Sequence, residues 1–219
     1  MKFKKIHTAL TVLGNELEVY NNYIDDSYLY LIAGVHGNEP EGVFVLAELF
    51  AWLQSIDLTT AVIVIPILNP DGYKAETRCN ANQVDLNRNL PASNWSADYE
   101  QANYNPGPKP LSEPENQMLV KLLSKYNPHT IISFHSWKPL LNINAKAEIL
   151  AGHIARFNNY HTTQDIGYPT PGSLDSYATE KYNCAILTYE CPELSSGLSL
   201  EEIWAENEHG LKDVFLNYF

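Results

Sequence analysis

Several things are scarce in this chain, and each shortage closes off a class of protein. Among its 219 residues, Lys and Arg total 14 against 26 Asp and Glu, a formal net charge of −12. Nucleic-acid binding needs a basic face that neutralises phosphates, so nucleic acid is not an expected partner. An anionic substrate would be repelled at long range and would have to be met by locally placed arginines. Long hydrophobic runs are missing too. The longest, Ala61 to Leu68, contains Pro66 and falls far short of the roughly 20 apolar residues that a spanning helix needs. No membrane association is expected. Lys4 and Lys5 near the start have no apolar segment behind them, which argues against a secretory signal. Cysteine is limited to Cys79, Cys184 and Cys191, an odd number at spacings that fit no disulfide or zinc framework. A reducing compartment, the cytoplasm, is the simpler expectation. There is no internal repeat or low-complexity tract. The length suits one well-buried core, so a single domain over residues 1–219 is expected, with its oligomeric state left open.

What is present is an alternation of apolar strands and amphipathic helices. Residues 3–20 alternate loosely at Ile6, Thr8, Leu10, Val12, Leu17 and Val19 around Gly14-Asn15, which predicts an edge hairpin. Tyr28–Val35 and Thr60–Leu68 read as strands buried on both faces of a sheet. Between them, Pro40–Gln54 places Val43, Leu46, Ala47, Phe50 and Leu53 or Gln54 on one helical face. Asn69-Pro-Asp-Gly72 is a strong turn signal, and residues 73–111 are nearly without periodicity. Ser112 and Glu115 predict a capping box for a helix bearing Met118, Leu119, Leu122, Leu123 and Tyr126. A strand at Thr130–Phe134 delivers His135. A helix at Ala145–Asn158, a short strand or loop near Tyr160–Asp165, a rigid loop at Gly167–Gly172 and a helix at Ser173–Lys181 follow. Cys184–Tyr189 is a strand ending on Glu190, and Ser199 with Glu202 forms a second capping box for the closing helix. The pattern predicts an α/β fold of three layers, with helices on both faces of a mixed, mostly parallel sheet.

His36, Glu39, Asn69, His135 and Glu190 all fall at or just after the ends of expected strands. In open α/β sheets that edge carries the ligands, because its loops are free while the sheet holds them rigid. Two imidazoles and one carboxylate from His36, His135 and Glu39 would leave one position open, as a catalytic zinc site does. Glu190 would then be placed to accept a proton in metal-assisted hydrolysis of an acyl bond. His36-Gly-Asn-Glu39 taken alone is a weak signal, equally readable as a helix cap.

A longer set of stretches strengthens it: His36-Gly-Asn-Glu39, Asn69-Pro-Asp-Gly72, Arg78, Asp85-Leu-Asn-Arg88-Asn89, Ser112-Glu-Pro-Glu115, Ser133-Phe-His135 and Thr188-Tyr-Glu190. Together, and in this order, they resemble the zinc metallocarboxypeptidase family over nearly the whole chain. Within that family, residues 78–95 and 167–173 are most similar to the small cytosolic bacterial murein peptide amidases, which release terminal diaminopimelate from its γ-D-glutamyl linkage. The resemblance implies one zinc per chain held by His36, Glu39 and His135, with Glu190 as general base. It implies that Arg78 polarises the scissile carbonyl, that Asn87 and Arg88 hold the terminal carboxylate of a small peptide, and that Tyr168 closes over it. It places Asp175 in the region of the specificity pocket, where an acid would bind the distal amine of diaminopimelate; an N-cap for the next helical turn is the competing role. His36-Gly-Asn-Glu39 and Asn87-Arg88 are also shared with N-acyl amino acid deacylases of the aspartoacylase and succinylglutamate desuccinylase type. A silent binder of peptide carboxylates is the non-enzymatic alternative.

The remaining candidates have structural readings. Asp85, beside Arg88, is expected to orient that arginine or its loop and not to bind metal. Cys79 is expected to be a small buried residue. His7, His129, His153, His161 and His209 have no partner pattern.

Overall fold

The two fully apolar runs occupy the middle of an eight-stranded sheet. The computed structural model describes residues 3–6, 9–24 and 27–219; His7 and Thr8 lie outside them. In chain order the strands are β1 (Lys4–Ile6), β2 (Val19–Asn21), β3 (Tyr28–Ala33), β4 (Val62–Ile65), β5 (Pro128–Trp137), β6 (Leu140–Ile143), β7 (His161–Thr163) and β8 (Ala185–Pro192). The helices are α1 (Pro40–Leu53), α2 (Pro70–Ala75), α3 (Pro114–Lys125), α4 (Glu148–Asn158), α5 (Leu174–Tyr182) and α6 (Leu200–Asp213), the last running on into a π turn at Val214–Tyr218. The sheet order is β1-β2-β4-β3-β5-β8-β6-β7. Pairing is parallel from β4 through β3 and β5 to β8 and again between β6 and β7, and antiparallel elsewhere. This is the expected mixed α/β sheet.

The central strands show no apolar alternation because each face has its own core. Leu29, Leu31, Val62 and Val64 meet Leu46 and Leu49 of α1, Ile154 of α4 and Leu211 of α6 on one face. Tyr30, Ile32, Ile63 and Ile65 meet Leu119 and Leu123 of α3 and Tyr177 of α5 on the other. The edge hairpin forms: β1 pairs with β2, Leu10 bridges Glu16, and Gly14 takes a left-handed φ of +79°.

Three local expectations need correction. The expected Val43, Leu46 and Leu53 of α1 are buried and Phe50 packs partly against the core, but the face also takes in Gly42, Val45 and Leu49, and Ala47 and Gln54 are exposed. The cause is Gly42, where an added Cβ would lie 2.9 Å from the Phe134 carbonyl carbon. Lacking one, the helix lies against the β5 backbone and turns its face toward that contact. The Asn69–Gly72 turn is the first turn of α2, with Asn69 Oδ1 accepting from Gly72 N at 2.9 Å; the same local bond serves an Asx turn and an N-cap. Ser112 and Glu115 form no capping box, because the N-cap of α3 is Glu113 and Ser112 Oγ is engaged by Asn89 Nδ2 at 2.9 Å. The box at Ser199 and Glu202 does form. Strand β6, four residues beyond Lys138-Pro139, was not expected from the sequence at all.

Candidate active site

The site begins where β3 stops. Gly34 has a φ of +60°, and a Cβ there would press on Ile67 Cγ2 at 2.9 Å, so the chain can turn here only as glycine. At Gly37 a Cβ would fall 2.0 Å from the Gly72 carbonyl carbon. The turn carrying His36 and Glu39 therefore rests directly on the first turn of α2. Asn69 fastens the two: its backbone N–H donates to Gly34 O at 2.8 Å and its side-chain amide donates to Arg78 O at 3.3 Å. Pro40 then opens α1 at a position where its missing N–H costs nothing.

Strand β5 supplies His135, in register with Glu190 on β8. His36 Nδ1 and His135 Nδ1 are 3.2 Å apart, and the Glu39 carboxylate meets both, at 2.8 Å through Oε1 and 2.9 Å through Oε2. Three ligand atoms thus converge within 4.8 Å of one another. Each imidazole is held through its other nitrogen, His36 Nε2 by Asp85 Oδ1 at 3.1 Å and His135 Nε2 by Ser133 Oγ at 3.0 Å. That is the outer shell a metal-binding histidine requires to fix its ring. Burial opposes charge on Glu39, yet the two imidazoles outweigh it and hold the carboxyl well below the usual range. A divalent cation fits this donor set: two nitrogens and a carboxylate, each pre-oriented.

Asp85, fully buried, holds its loop as expected, with Oδ1 accepting from Asn87 N at 2.8 Å, but the arginine it orients is Arg78 and not Arg88: Oδ2 accepts from Arg78 Nε at 3.1 Å and Nη2 at 3.0 Å. One carboxylate thus fixes a ligand histidine and the arginine expected beside the carbonyl. Its pKa is far below normal, because His36 and then Arg78 overcome the burial that opposes ionisation. Arg88 lies on the 3-10 turn Leu86–Arg88, and Asn87 Oδ1 accepts from Leu174 N at 2.9 Å, tying that turn to the start of α5. Both guanidinium groups stack over Tyr104, at 5.1 Å for Arg78 and 5.4 Å for Arg88. Nothing in the sequence singled out Tyr104, since it sits in the aperiodic segment.

Glu190 is half-buried, and desolvation first, with the Glu39 carboxylate adding to it against the pull of His135, raises its pKa to about 7. Tyr168 is the exposed member of the set, its ring edge-on to Trp137 at 6.2 Å. Asp175 is not an N-cap: Ser173 fills that position, accepting from Ser176 N, and Asp175 faces the cavity with its pKa raised by burial. A cavity of about 470 Å³ is lined by all nine residues singled out from the sequence, His36, Glu39, Arg78, Asn87, Arg88, His135, Tyr168, Asp175 and Glu190. Cys79, Cys184 and Cys191 are buried and unpaired, and burial pushes the Cys79 thiol up to about 11. None of the three is a nucleophile candidate. His153 has a partner that the sequence did not disclose, Asp213 at 2.6 Å.

A cluster of two imidazoles and a carboxylate that could hold a metal ion, with a further carboxylate and two arginines around it, is the arrangement of a metallohydrolase site on an α/β sheet. The chain belongs to the zinc carboxypeptidase family, whose family model matches residues 26–212. It is 32% identical over 205 residues to murein peptide amidase A of Vibrio campbellii (strain ATCC BAA-1116), covering 88% of this chain and 81% of that protein. To murein peptide amidase A of Escherichia coli (strain K12) it is 34% identical over 184 residues, covering 78% and 74%. The crystal structure of murein-tripeptide amidase MpaA from Escherichia coli O157 superposes with a TM-score of 0.80 at 29% identity, covering 96% of this chain and 91% of that one. Carboxypeptidase A from Helicoverpa armigera shares the fold, with a TM-score of 0.79 at 17% identity over 96% and 67% of the two chains. The chain is a hydrolase of this family. No helix among the described residues is long and apolar enough to cross a membrane.

Proposed function

We propose that this chain is a zinc-dependent amidase that removes a residue with a free carboxylate, and that its substrate is the γ-D-glutamyl-meso-diaminopimelate bond of murein tripeptide, cleaved during cell-wall peptide recycling in the cytoplasm. Residues 1–219 act as one catalytic unit. The observation that carries the reading is the convergence of His36 Nδ1, His135 Nδ1 and the Glu39 carboxylate in the same cavity as Glu190 and two arginines. The two murein peptide amidases above support the choice of substrate, and the three unpaired cysteines support the compartment.

Zinc would be held by His36, Glu39 and His135 and would supply Lewis acidity toward the scissile carbonyl and the attacking water. Glu190, the half-buried carboxylate whose pKa is raised to about 7, takes the proton of the attacking water and returns it to the leaving amine. Arg78, locked by Asp85, presents a fixed guanidinium to the oxyanion that develops on the scissile carbonyl. Arg88 and the Asn87 amide receive the terminal carboxylate, which the planar guanidinium fork suits better than an ammonium. Tyr168 covers the bound peptide. Asp175 accepts the distal ammonium of diaminopimelate.

Hydrolysis of L-alanyl-γ-D-glutamyl-diaminopimelate, set beside an ordinary L-dipeptide and an N-acyl amino acid, tests this reading. Selective release of diaminopimelate supports it. Faster hydrolysis of either other substrate moves the activity to ordinary carboxypeptidase or deacylase chemistry.

A further inference from the structure

The cavity has a second charged wall that the proposed reaction leaves unused. The elements that carry Arg88 and Asp175 pack on one face of the sheet, where Leu86, Leu90, Leu174 and Tyr177 join the core beneath α3 and α5. From the opposite face come the first turn of α1 and the segment after β8, whose Val43 and Leu198 pack with the other core. These two bring Glu41 and Glu193 to the same cavity. The cluster of His36, Glu39 and His135 lies at the sheet edge between the two walls. With the carboxylate-holding arginine on one side of the ligands, the other wall meets the acyl half of the substrate.

Glu41 is a demanding residue to leave there. It is only 4% exposed. Its Oε1 accepts from Leu194 N at 2.7 Å, which ties the rim to the helix. Its Oε2 is buried with no hydrogen-bond partner among the described residues. A carboxylate in the first turn of a helix gains from the macrodipole, but that accounts for the charge and not for an orphaned oxygen. Leaving one unsatisfied costs the folded protein free energy that a cationic ligand would return. Glu193 stands exposed beside it at the mouth, accepting from Ser195 Oγ at 3.0 Å.

We propose that Glu41, with Glu193 at the rim, forms a subsite for a free ammonium group on the acyl half of the substrate. The cavity is then polarised, with guanidinium for the terminal carboxylate at one wall and carboxylate for an amine at the other. Its substrate class is a short peptide with both ends unblocked, and a peptide still acylated at its amino end is a poor one. This rests on the proposed reading of the cavity as an amidase site, and it adds the recognition of the amino end.

The test uses the zinc-loaded enzyme on two matched pairs, L-alanyl-γ-D-glutamyl-diaminopimelate and an ordinary L-tripeptide, each with a free and with an acetylated amino end. In the pair that is hydrolysed, the free form is favoured in kcat/KM by about tenfold or more, the scale of a charge-assisted hydrogen bond. Glu41→Gln, which keeps an acceptor for Leu194 N, collapses that ratio to about threefold or less, and Glu193→Gln reduces it in part. Zinc content and Tm of both variants are measured alongside. Equal rates on free and acetylated peptides in the wild type overturn the proposal, as does a Glu41→Gln variant that slows both members of a pair alike. Cleavage of the L-tripeptide pair alone overturns the murein substrate while still reading the ammonium subsite through the ratio.

Discussion

Asp85 Oδ1 accepts a hydrogen bond from His36 Nε2 at 3.1 Å, while the second oxygen of the same carboxylate holds Arg78. The proposed metal ligand and the proposed electrophile are therefore oriented by one buried group, and their errors are coupled. Asp85→Asn keeps the volume but offers one acceptor where two are used. We predict a loss of zinc affinity of about 10–100-fold, the usual cost of an outer-shell partner, together with a fall in kcat that saturating zinc does not restore. A competition titration against a chelator and a kcat measured at excess zinc separate the two effects.

Glu190→Gln should retain zinc and lose turnover by a factor of about 10²–10⁴, the contribution of a placed general base. The wild-type pH profile carries the same information. A base works ionised, so kcat/KM falls as pH falls through its pKa. Burial sets that value to about 7 before the charge of a bound cation is considered, and the cation lowers it. The acid limb therefore has its midpoint at or below about 7. Substantial turnover by the glutamine variant removes Glu190 as the base.

The arginines should separate kinetically. Arg88→Lys raises KM by about tenfold with little change in kcat, because an ammonium replaces a bidentate fork at a ground-state contact. Arg78→Ala lowers kcat by about 10²-fold, because its interaction strengthens as the oxyanion forms. Steady-state kinetics on one peptide resolves both.

Away from the chemistry, Glu115 should make stability fall with rising pH. It is fully exposure-free, its Oε1 has no partner among the described residues, and burial raises its pKa from 4.5 to about 7. The folded value lies above the unfolded one, so the contribution is complete below about 4.5 and is lost as pH rises through about 7. Glu115→Gln should therefore gain on the order of 2 kcal/mol relative to wild type between pH 5 and pH 8. Urea denaturation at the two pH values measures it, and parallel behaviour of the two proteins contradicts it.

The candidate site was legible where sequence patterns are strong. His36 and Glu39 follow an apolar run and precede a proline, and His135 and Glu190 follow runs of the same kind, so expected strand ends alone placed four of the nine residues singled out for the cavity. The arginines came only through resemblance, since residues 73–111 have no periodicity and are fixed by side-chain bonds such as Asn69 to Arg78 O and Asn89 to Ser112. Those bonds cross long stretches of chain and leave no local trace. For the same reason Tyr104 and the double role of Asp85 were invisible. The α1 face shows the opposite limit: Val43, Leu46 and Leu53 are buried as expected, but a close backbone approach at Gly42 turns the helix so that Ala47 is exposed.

The measurement that bears most directly on the central claim is diaminopimelate release from L-alanyl-γ-D-glutamyl-diaminopimelate by chelator-treated protein as zinc is added back. The account predicts no release without metal, full activity at one zinc per chain, and neither bound zinc nor activity in His135→Ala. Release that persists in the metal-free protein, or survives His135→Ala, would contradict it.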